Sequence, residues 1–79
     1  MRARYRLDDL RIDVARQRVE RDGVALEVGG LSFRLLHYLL QQGQRVVGFD
    51  ELIQNVWAPA LVNEETVTQR VRLLRQALG

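Results

Sequence analysis

Apolar and polar residues alternate one by one through the first third of the chain. Apolar residues alternate with arginines in segment 2–7, and with Arg11 and Asp13 in segment 10–14. A period of two places neighbouring side chains on opposite faces of a strand, so these segments predict half-buried strands. Asp22-Gly23 lies between segments 17–21 and 24–28 and predicts a hairpin turn, because glycine accepts a positive φ. We therefore predict a four-stranded antiparallel sheet over residues 1–28. Its third strand has only Val19 as a clearly apolar residue, so we expect that strand to be short or to face solvent.

After Gly29-Gly30 the apolar period changes to about 3.6, which predicts a helix over residues 31–42. We expect its inward face to consist of Phe33, Leu36, Leu39 and Leu40, with Leu35 at the flank. Gly43 is placed to end this helix in a left-handed cap. A second, shorter helix is predicted over residues 49–57, because it begins with acidic residues, carries apolar residues on one side and stops before Pro59.

The last predicted helix covers residues 64–78 and is amphipathic. Asn63 can cap it, and Glu64 and Glu65 suit the positive end of the helix dipole. The predicted apolar stripe consists of Val67, Val71, Leu74 and Leu78, and the residues that point broadly the other way are Thr68, Gln69, Arg72 and Gln76. Guanidinium groups match guanine or phosphate and carboxamides match adenine, so the outer face could read a nucleic acid. A solvated helix face is the alternative.

Length and composition narrow the classes of function. Seventy-nine residues are enough for one domain with a single modest core. The twelve basic residues are all arginines and face ten acids, so the net charge is only +2; however, three arginines and no acid follow Thr66, which concentrates positive charge on the last helix. There is no cysteine, one serine and one histidine, which gives no nucleophile–base set. We therefore predict no enzyme, no metal site and no cofactor.

No apolar run approaches the roughly 20 residues that span a bilayer, and the N-terminus lacks the apolar core of a signal peptide. We therefore predict a cytoplasmic domain without membrane contact of its own, although the whole protein could be tethered to a membrane through another segment.

Strands followed by three helices, with the last one basic, suggest a helix-turn-helix on a small N-terminal sheet. Five short sequence segments, in order and over nearly the whole chain, resemble the OmpR/PhoB-type winged helix-turn-helix domain of bacterial transcriptional regulators. They are LSFRLLHYLL at 31–40, RVV at 45–47, DELI at 50–53, VW at 56–57 and TVTQRVRLLRQAL at 66–78. The resemblance implies an α+β fold: a four-stranded antiparallel sheet and a three-helix winged helix-turn-helix core.

The resemblance also implies a function: sequence-specific binding of double-stranded DNA, with the helix 64–78 in the major groove. The DNA-binding residues implied are Thr68, Gln69, Arg70, Arg72, Leu73 and Arg75. The loop implied to touch RNA polymerase contains Pro59, Ala60, Leu61 and Val62. Trp57 matches a position that packs near the DNA backbone in some members; an anchor between helices is the alternative.

The chain departs from the family pattern in three ways. Leu73 stands where many members carry a basic residue, and Glu65 where some carry an arginine. Gly29 and Gly48 stand where a capping Thr or Ser is common. The family's C-terminal wing hairpin is missing from this sequence, so we expect the natural protein to continue past Gly79, and the position of Met1 favours a winged helix placed ahead of a sensor. An alternative function is a protein-interaction or dimerisation module that does not bind DNA, in which the outer face of the last helix or a free sheet edge meets a partner or a second copy.

Overall fold

Four strands and three helices follow one another in the predicted order. The structure is a computed structural model that describes residues 4–7, 9–43 and 45–79. The strands are β1 (Arg4–Leu7), β2 (Leu10–Asp13), β3 (Arg18–Arg21) and β4 (Val24–Leu26). The helices are α1 (Gly30–Gln42), α2 (Phe49–Leu52), which continues into a π-helical turn (Ile53–Trp57), and α3 (Glu64–Leu78). The predicted α+β fold class is confirmed, and no strand follows α3 within the described residues.

The sheet is an antiparallel meander with the strand order β1-β2-β3-β4. Its register aligns Tyr5 with Ile12, Ile12 with Val19, and Val19 with Leu26, so one inward row crosses all four strands. The third strand is short, with four residues, as one of the two expectations held, but it does not face solvent alone: it lies between two neighbours, and its Val19 is 0% exposed.

The turn between β3 and β4 has the conformation that Asp22-Gly23 predicts. Both residues have positive φ, 52° and 80°, as a two-residue hairpin loop of the type I′ requires. The last strand is shorter than the predicted segment 24–28, because the backbone bends after Leu26, where the Val28 N–H donates to the Leu26 carbonyl at 3.0 Å. Val28 nevertheless remains buried in the core.

Helix α1 buries a wider stripe than predicted. Phe33 and Leu36 are buried as expected, but Leu35 is 0% exposed, whereas Leu39 and Leu40 are only partly buried. The reason is that α1 lies between the sheet, where the Tyr5 and His37 rings are 6.0 Å apart, and the remaining helical segments. Gly43 ends the helix with a positive φ of 66°, but its ψ of −128° lies outside the left-handed helical region, so the predicted cap conformation was wrong.

The second predicted helix, 49–57, is α-helical only as far as Leu52. The chain then makes the wider π-helical turn, in which the Ala58 N–H donates to the Ile53 carbonyl at 2.8 Å. With this turn Leu52, Val56 and Trp57 are all buried. Trp57 is only 6% exposed, which supports the interpretation of this residue as an anchor between helices rather than as a contact to DNA.

A polar cluster joins α1 to α2. Arg45 donates to Glu51 Oε1 at 2.9 Å and also contacts Oε2, and the Tyr38 hydroxyl donates to the same carboxylate. The hydrogen bonds from Arg45 and Tyr38 lower the pKa of Glu51 to about 2. Conversely, the hydrogen bond to Glu51 raises the pKa of Tyr38. The cluster fixes the start of α2 against α1, where Gly48 supplies no capping side chain.

Candidate nucleic-acid interface

The first turn of α3 is held by a side-chain cap. Asn63 Oδ1 accepts from the Thr66 N–H at 2.9 Å and from the Thr66 hydroxyl at 3.0 Å. Glu64 and Glu65 lie in this turn, where the helix dipole favours negative charge, and Arg75 lies in the last turn, where it favours positive charge. The predicted cap is confirmed, and α3 therefore begins at a fixed point relative to the loop that precedes it.

The apolar stripe of α3 decides which way its other side chains point. Val67 and Leu74 are buried in the same core as the sheet and α1, and Val71 and Leu78 are half-buried beside them. This stripe is the predicted one. The opposite side of the helix must therefore face solvent.

Five of the six candidate DNA-binding residues lie exposed on the side of α3 that faces solvent. We call this set the outward face of α3; it consists of Thr68, Gln69, Arg72, Leu73 and Arg75. It offers two guanidinium groups, a carboxamide, a hydroxyl and an isobutyl group on one side of a helix, which are the groups that contact phosphates and base edges in a major groove.

Arg70, the sixth candidate, is placed differently. It is half-buried, and its Nη1 donates to Ser32 Oγ of α1 at 3.3 Å. The guanidinium thus lies where α3 meets the first turn of α1, a turn whose Gly29 provides no capping side chain. The sequence did not indicate this contact, because Ser32 and Arg70 are 38 residues apart and neither belongs to a local motif.

Phe49 borders the outward face of α3 and was not among the candidate residues. It opens α2, is 41% exposed, and lines a shallow groove with Thr68, Val71, Arg72 and Arg75. An aromatic residue at the exposed start of a helix is the signal that could have found it. The groove adds an apolar wall beside two arginines.

On the other flank of α3, a second depression is lined by Asn63, Glu65, Thr66, Gln69, Arg70 and Leu73. Glu65 places a carboxylate near Arg70 on this flank. The charge here is mixed, so the positive potential of α3 is strongest on the side of Arg72 and Arg75.

The predicted polymerase-contact loop precedes α3. Pro59, Ala60 and Leu61 are exposed, and Leu61 is 98% exposed, whereas Val62 is half-buried against the core. The structure therefore separates these four residues into three that a partner could reach and one that supports the fold.

The fold and the exposed basic helix agree with what similarity to known proteins shows. Residues 23–79 match the family model described as "Transcriptional regulatory protein, C terminal". The chain belongs to this family. Two curated relatives are phosphate regulon transcriptional regulatory proteins PhoB. The chain is 33% identical over 73 residues to that of Escherichia coli (strain K12), covering 91% of this chain and 32% of the relative. It is 35% identical over 71 residues to that of Pseudomonas aeruginosa, covering 89% and 31%.

Two solved structures have the same fold. The DNA-binding domain of CpxR from E. coli superposes with a TM-score of 0.85 at 29% identity, covering 98% of this chain and 76% of that one. The DNA-binding domain of E. coli CadC superposes with a TM-score of 0.84 at 29% identity, covering 96% and 74%. The chain spans about a third of the length of the curated relatives it matches.

The predictions of family and fold are therefore confirmed: the chain belongs to the transcriptional-regulator family and has the fold of two DNA-binding domains. No helix in the described part of the chain is both long enough and apolar enough to cross a membrane. The individual DNA-binding residues and the polymerase loop stay predictions.

Proposed function

We propose that this domain binds double-stranded DNA sequence-specifically, with the outward face of α3 in the major groove. One observation carries the proposal: five side chains suited to phosphates and base edges lie exposed on one side of a capped helix whose other side is buried. An α-helix fits the width of a major groove, and the second helix of a helix-turn-helix is the one that enters it.

The chemistry of the outward face divides the contacts. Arg72 and Arg75 bind phosphates or the acceptor edge of guanine, and Gln69 is suited to adenine. Leu73 replaces the basic residue common at its position and presents an apolar group, which favours contact with a thymine methyl over a phosphate. The domain thus reads its site with fewer charges than a family member that has an arginine there.

Arg70 is suited to a phosphate rather than to a base. Its guanidinium is held beside the first turn of α1 by Ser32, away from the centre of the outward face. The first-turn N–H groups of α1 have no side-chain cap, and free N–H groups at a helix start attract anions. A backbone phosphate at this junction would accept hydrogen bonds from both.

The test begins with selection from random duplexes, which supplies a binding site. The affinity for the selected duplex is then measured by fluorescence anisotropy over a range of salt concentrations. Four or five phosphate contacts predict a slope of log K against log salt of roughly −4, at about −0.9 per phosphate. Selection that yields no preferred sequence, or an affinity that does not change with salt, would contradict the proposal.

We further propose that the loop before α3 contacts RNA polymerase, and the exposure of Leu61 supports this. A leucine that is 98% exposed contributes nothing to the core, so its apolar side chain is accessible to a partner. Leu61→Ser should reduce activated transcription in vitro while duplex affinity stays at the wild-type value. Val46→Ser is the matched control, since Val46 is a similarly accessible apolar residue outside this loop, 89% exposed. An equal loss in both variants would exclude a specific role for the loop.

The alternative function, a protein-interaction or dimerisation module without DNA binding, stays a prediction. Among the described residues β1 and β4 are the two edge strands of the sheet, and a second copy could pair with either. Size-exclusion chromatography with light scattering distinguishes the two functions, because a concentration-dependent dimer that does not bind the selected duplex would favour the alternative.

A further inference from the structure

The outer face of the sheet, on the side away from the helices, carries a concentration of arginines. In the antiparallel register Arg4 pairs with Asp13 and Asp13 with Arg18, and the next row aligns Arg6, Arg11 and Glu20. Arg16, in the turn after β2, adds a fifth guanidinium. We call this surface the arginine face; it consists of Arg4, Arg6, Arg11, Arg16 and Arg18 together with Asp13 and Glu20.

Folding accounts for only part of this arrangement, the part in which Arg4 and Arg18 lie opposite Asp13 and Arg11 lies opposite Glu20. Arg6 and Arg11 are directly opposite each other on neighbouring strands, and like charges in that position destabilise a sheet. The ion pairs on this face are long, 3.5 Å between Arg18 Nη1 and Glu20 Oε2 and 4.0 Å between Arg16 Nε and Asp13 Oδ2. Exposed ion pairs of this kind contribute little to stability. The five arginines are exposed, so the arginine face is available to a partner.

A duplex bound to α3 would leave the arginine face free. The inward row of the sheet supplies Ile12 and Val19 to the same core that receives Val67 and Leu74 of α3. Because side chains alternate across a strand, the arginines point away from that core. The arginine face and the outward face of α3 therefore lie on opposite sides of the shared core, and the two surfaces have no residue in common.

We propose that the arginine face binds an acidic segment of a partner protein. Charge complementarity selects an anionic partner, and the carboxylate fits the planar fork of a guanidinium. The two acids within the face favour a polypeptide over a nucleic acid, because a polypeptide can place uncharged or basic residues opposite Asp13 and Glu20, whereas every unit of a phosphate backbone is charged. The arginines surround a depression of about 380 Å³, which is large enough for side chains of an extended segment.

The proposal is independent of DNA binding and is tested with a polyglutamate peptide as the probe, with polyserine of the same length as the control. Backbone amide NMR shifts on addition of the peptide locate its site. We expect polyglutamate to shift amides of β1, β2 and β3, and polyserine to shift none. The double variant Arg6→Gln/Arg11→Gln should bind polyglutamate roughly fivefold more weakly, the size expected for losing two exposed ion pairs. It also removes a repulsive pair, so its thermal unfolding should be unchanged or raised.

Arg72→Gln is the matched control, since it removes the same charge from α3 and should leave peptide affinity unchanged. Shifts on α3 that disappear in Arg72→Gln would show that the peptide only mimics DNA, which overturns the proposal. Absence of any binding overturns it as well. A random-sequence duplex or anionic phosphatidylglycerol vesicles that bind the wild type more tightly than polyglutamate does, with the same loss in the double variant, would assign the face to a different class of partner.

Discussion

Arg72 provides the sharpest test of how α3 meets DNA. It is exposed in the middle of the outward face of α3, one turn before Arg75 and beside Phe49. Its side chain makes no hydrogen bond or ion pair within the described residues. Arg72→Gln removes one positive charge, keeps a long polar side chain and leaves the buried stripe of α3 untouched. Any loss of affinity must therefore come from the DNA contact rather than from the fold.

The expected magnitude follows from counterion release. The wild-type domain, with a slope of roughly −4, loses roughly 250-fold in affinity when salt rises from about 50 to about 200 mM. Removing one phosphate contact changes the slope by about one unit, so the variant with a slope of roughly −3 loses only roughly 60-fold. If Arg72 contacts a guanine instead, Arg72→Gln should lose about 1–3 kcal/mol of the preference for the selected site over a site substituted at that base pair.

Anisotropy titrations of both proteins over the salt range distinguish these outcomes. Arg11→Gln is the matched control, because it removes the same charge from the arginine face and should keep the wild-type slope. The assignment of α3 to the major groove would be refuted if Arg72→Gln kept both the wild-type slope and the wild-type sequence preference. It would also be refuted if Arg11→Gln lowered the slope equally, because the domain would then bind by its net charge alone.

Three further predictions follow from the same structure. Phe49→Ala should weaken duplex affinity by up to about tenfold, because it removes roughly 50 Å² of apolar contact, and should leave the salt slope unchanged. Unchanged thermal unfolding of this variant would confirm that the fold is intact. Asn63→Ala removes the cap of α3 and should cost about 1 kcal/mol, which lowers the melting temperature in circular dichroism by about 4–8 °C, whereas Gln76→Ala on the same helix should leave it nearly unchanged. Because the pKa of Glu51 is lowered to about 2 in the folded state, its ionised form stabilises the fold at any pH above the unfolded pKa of about 4.3. This stabilisation is lost as the pH falls toward 2. The melting temperature of Glu51→Gln should therefore be lower than that of the wild type at neutral pH, and the two melting temperatures should converge in acid.

Local chemistry made part of the fold predictable. Asp22-Gly23 specifies a hairpin because the turn itself needs two residues with positive φ, whatever the rest of the chain does. Asn63 specifies the start of α3 in the same way, since its side-chain oxygen is within reach of Thr66 once a helix begins. The apolar stripe of α3 could be predicted because a helix that packs on one side only buries the residues that its period selects.

The features that could not be predicted depend on contacts between distant segments. Leu35 is fully buried because α1 packs against two layers, and a period of 3.6 gives the centre of a stripe but not its width. The π-helical turn at Ile53–Trp57 brings Leu52, Val56 and Trp57 into one core. Because this turn is favoured by tertiary packing, the local sequence does not predict it. For the same reason, the contact of Arg70 with Ser32 and the position of Phe49 beside α3 emerge only when α1, α2 and α3 are placed together.

The small net charge of the chain conceals how its arginines are distributed. A period of two sends Arg4, Arg6 and Arg11 to the outer side of the sheet, and a period of 3.6 sends Arg72 and Arg75 to the outer side of α3. The total of +2 arises because ten acids offset the twelve arginines in number, although only Asp13 and Glu20 belong to the arginine face and no acid belongs to the outward face of α3. Since the two basic surfaces share no residue, the free-energy changes caused by substitutions on one surface should be additive with those caused by substitutions on the other. Under the two proposals, a duplex on α3 and an acidic segment on the sheet can be bound at the same time, and salt would weaken both contacts.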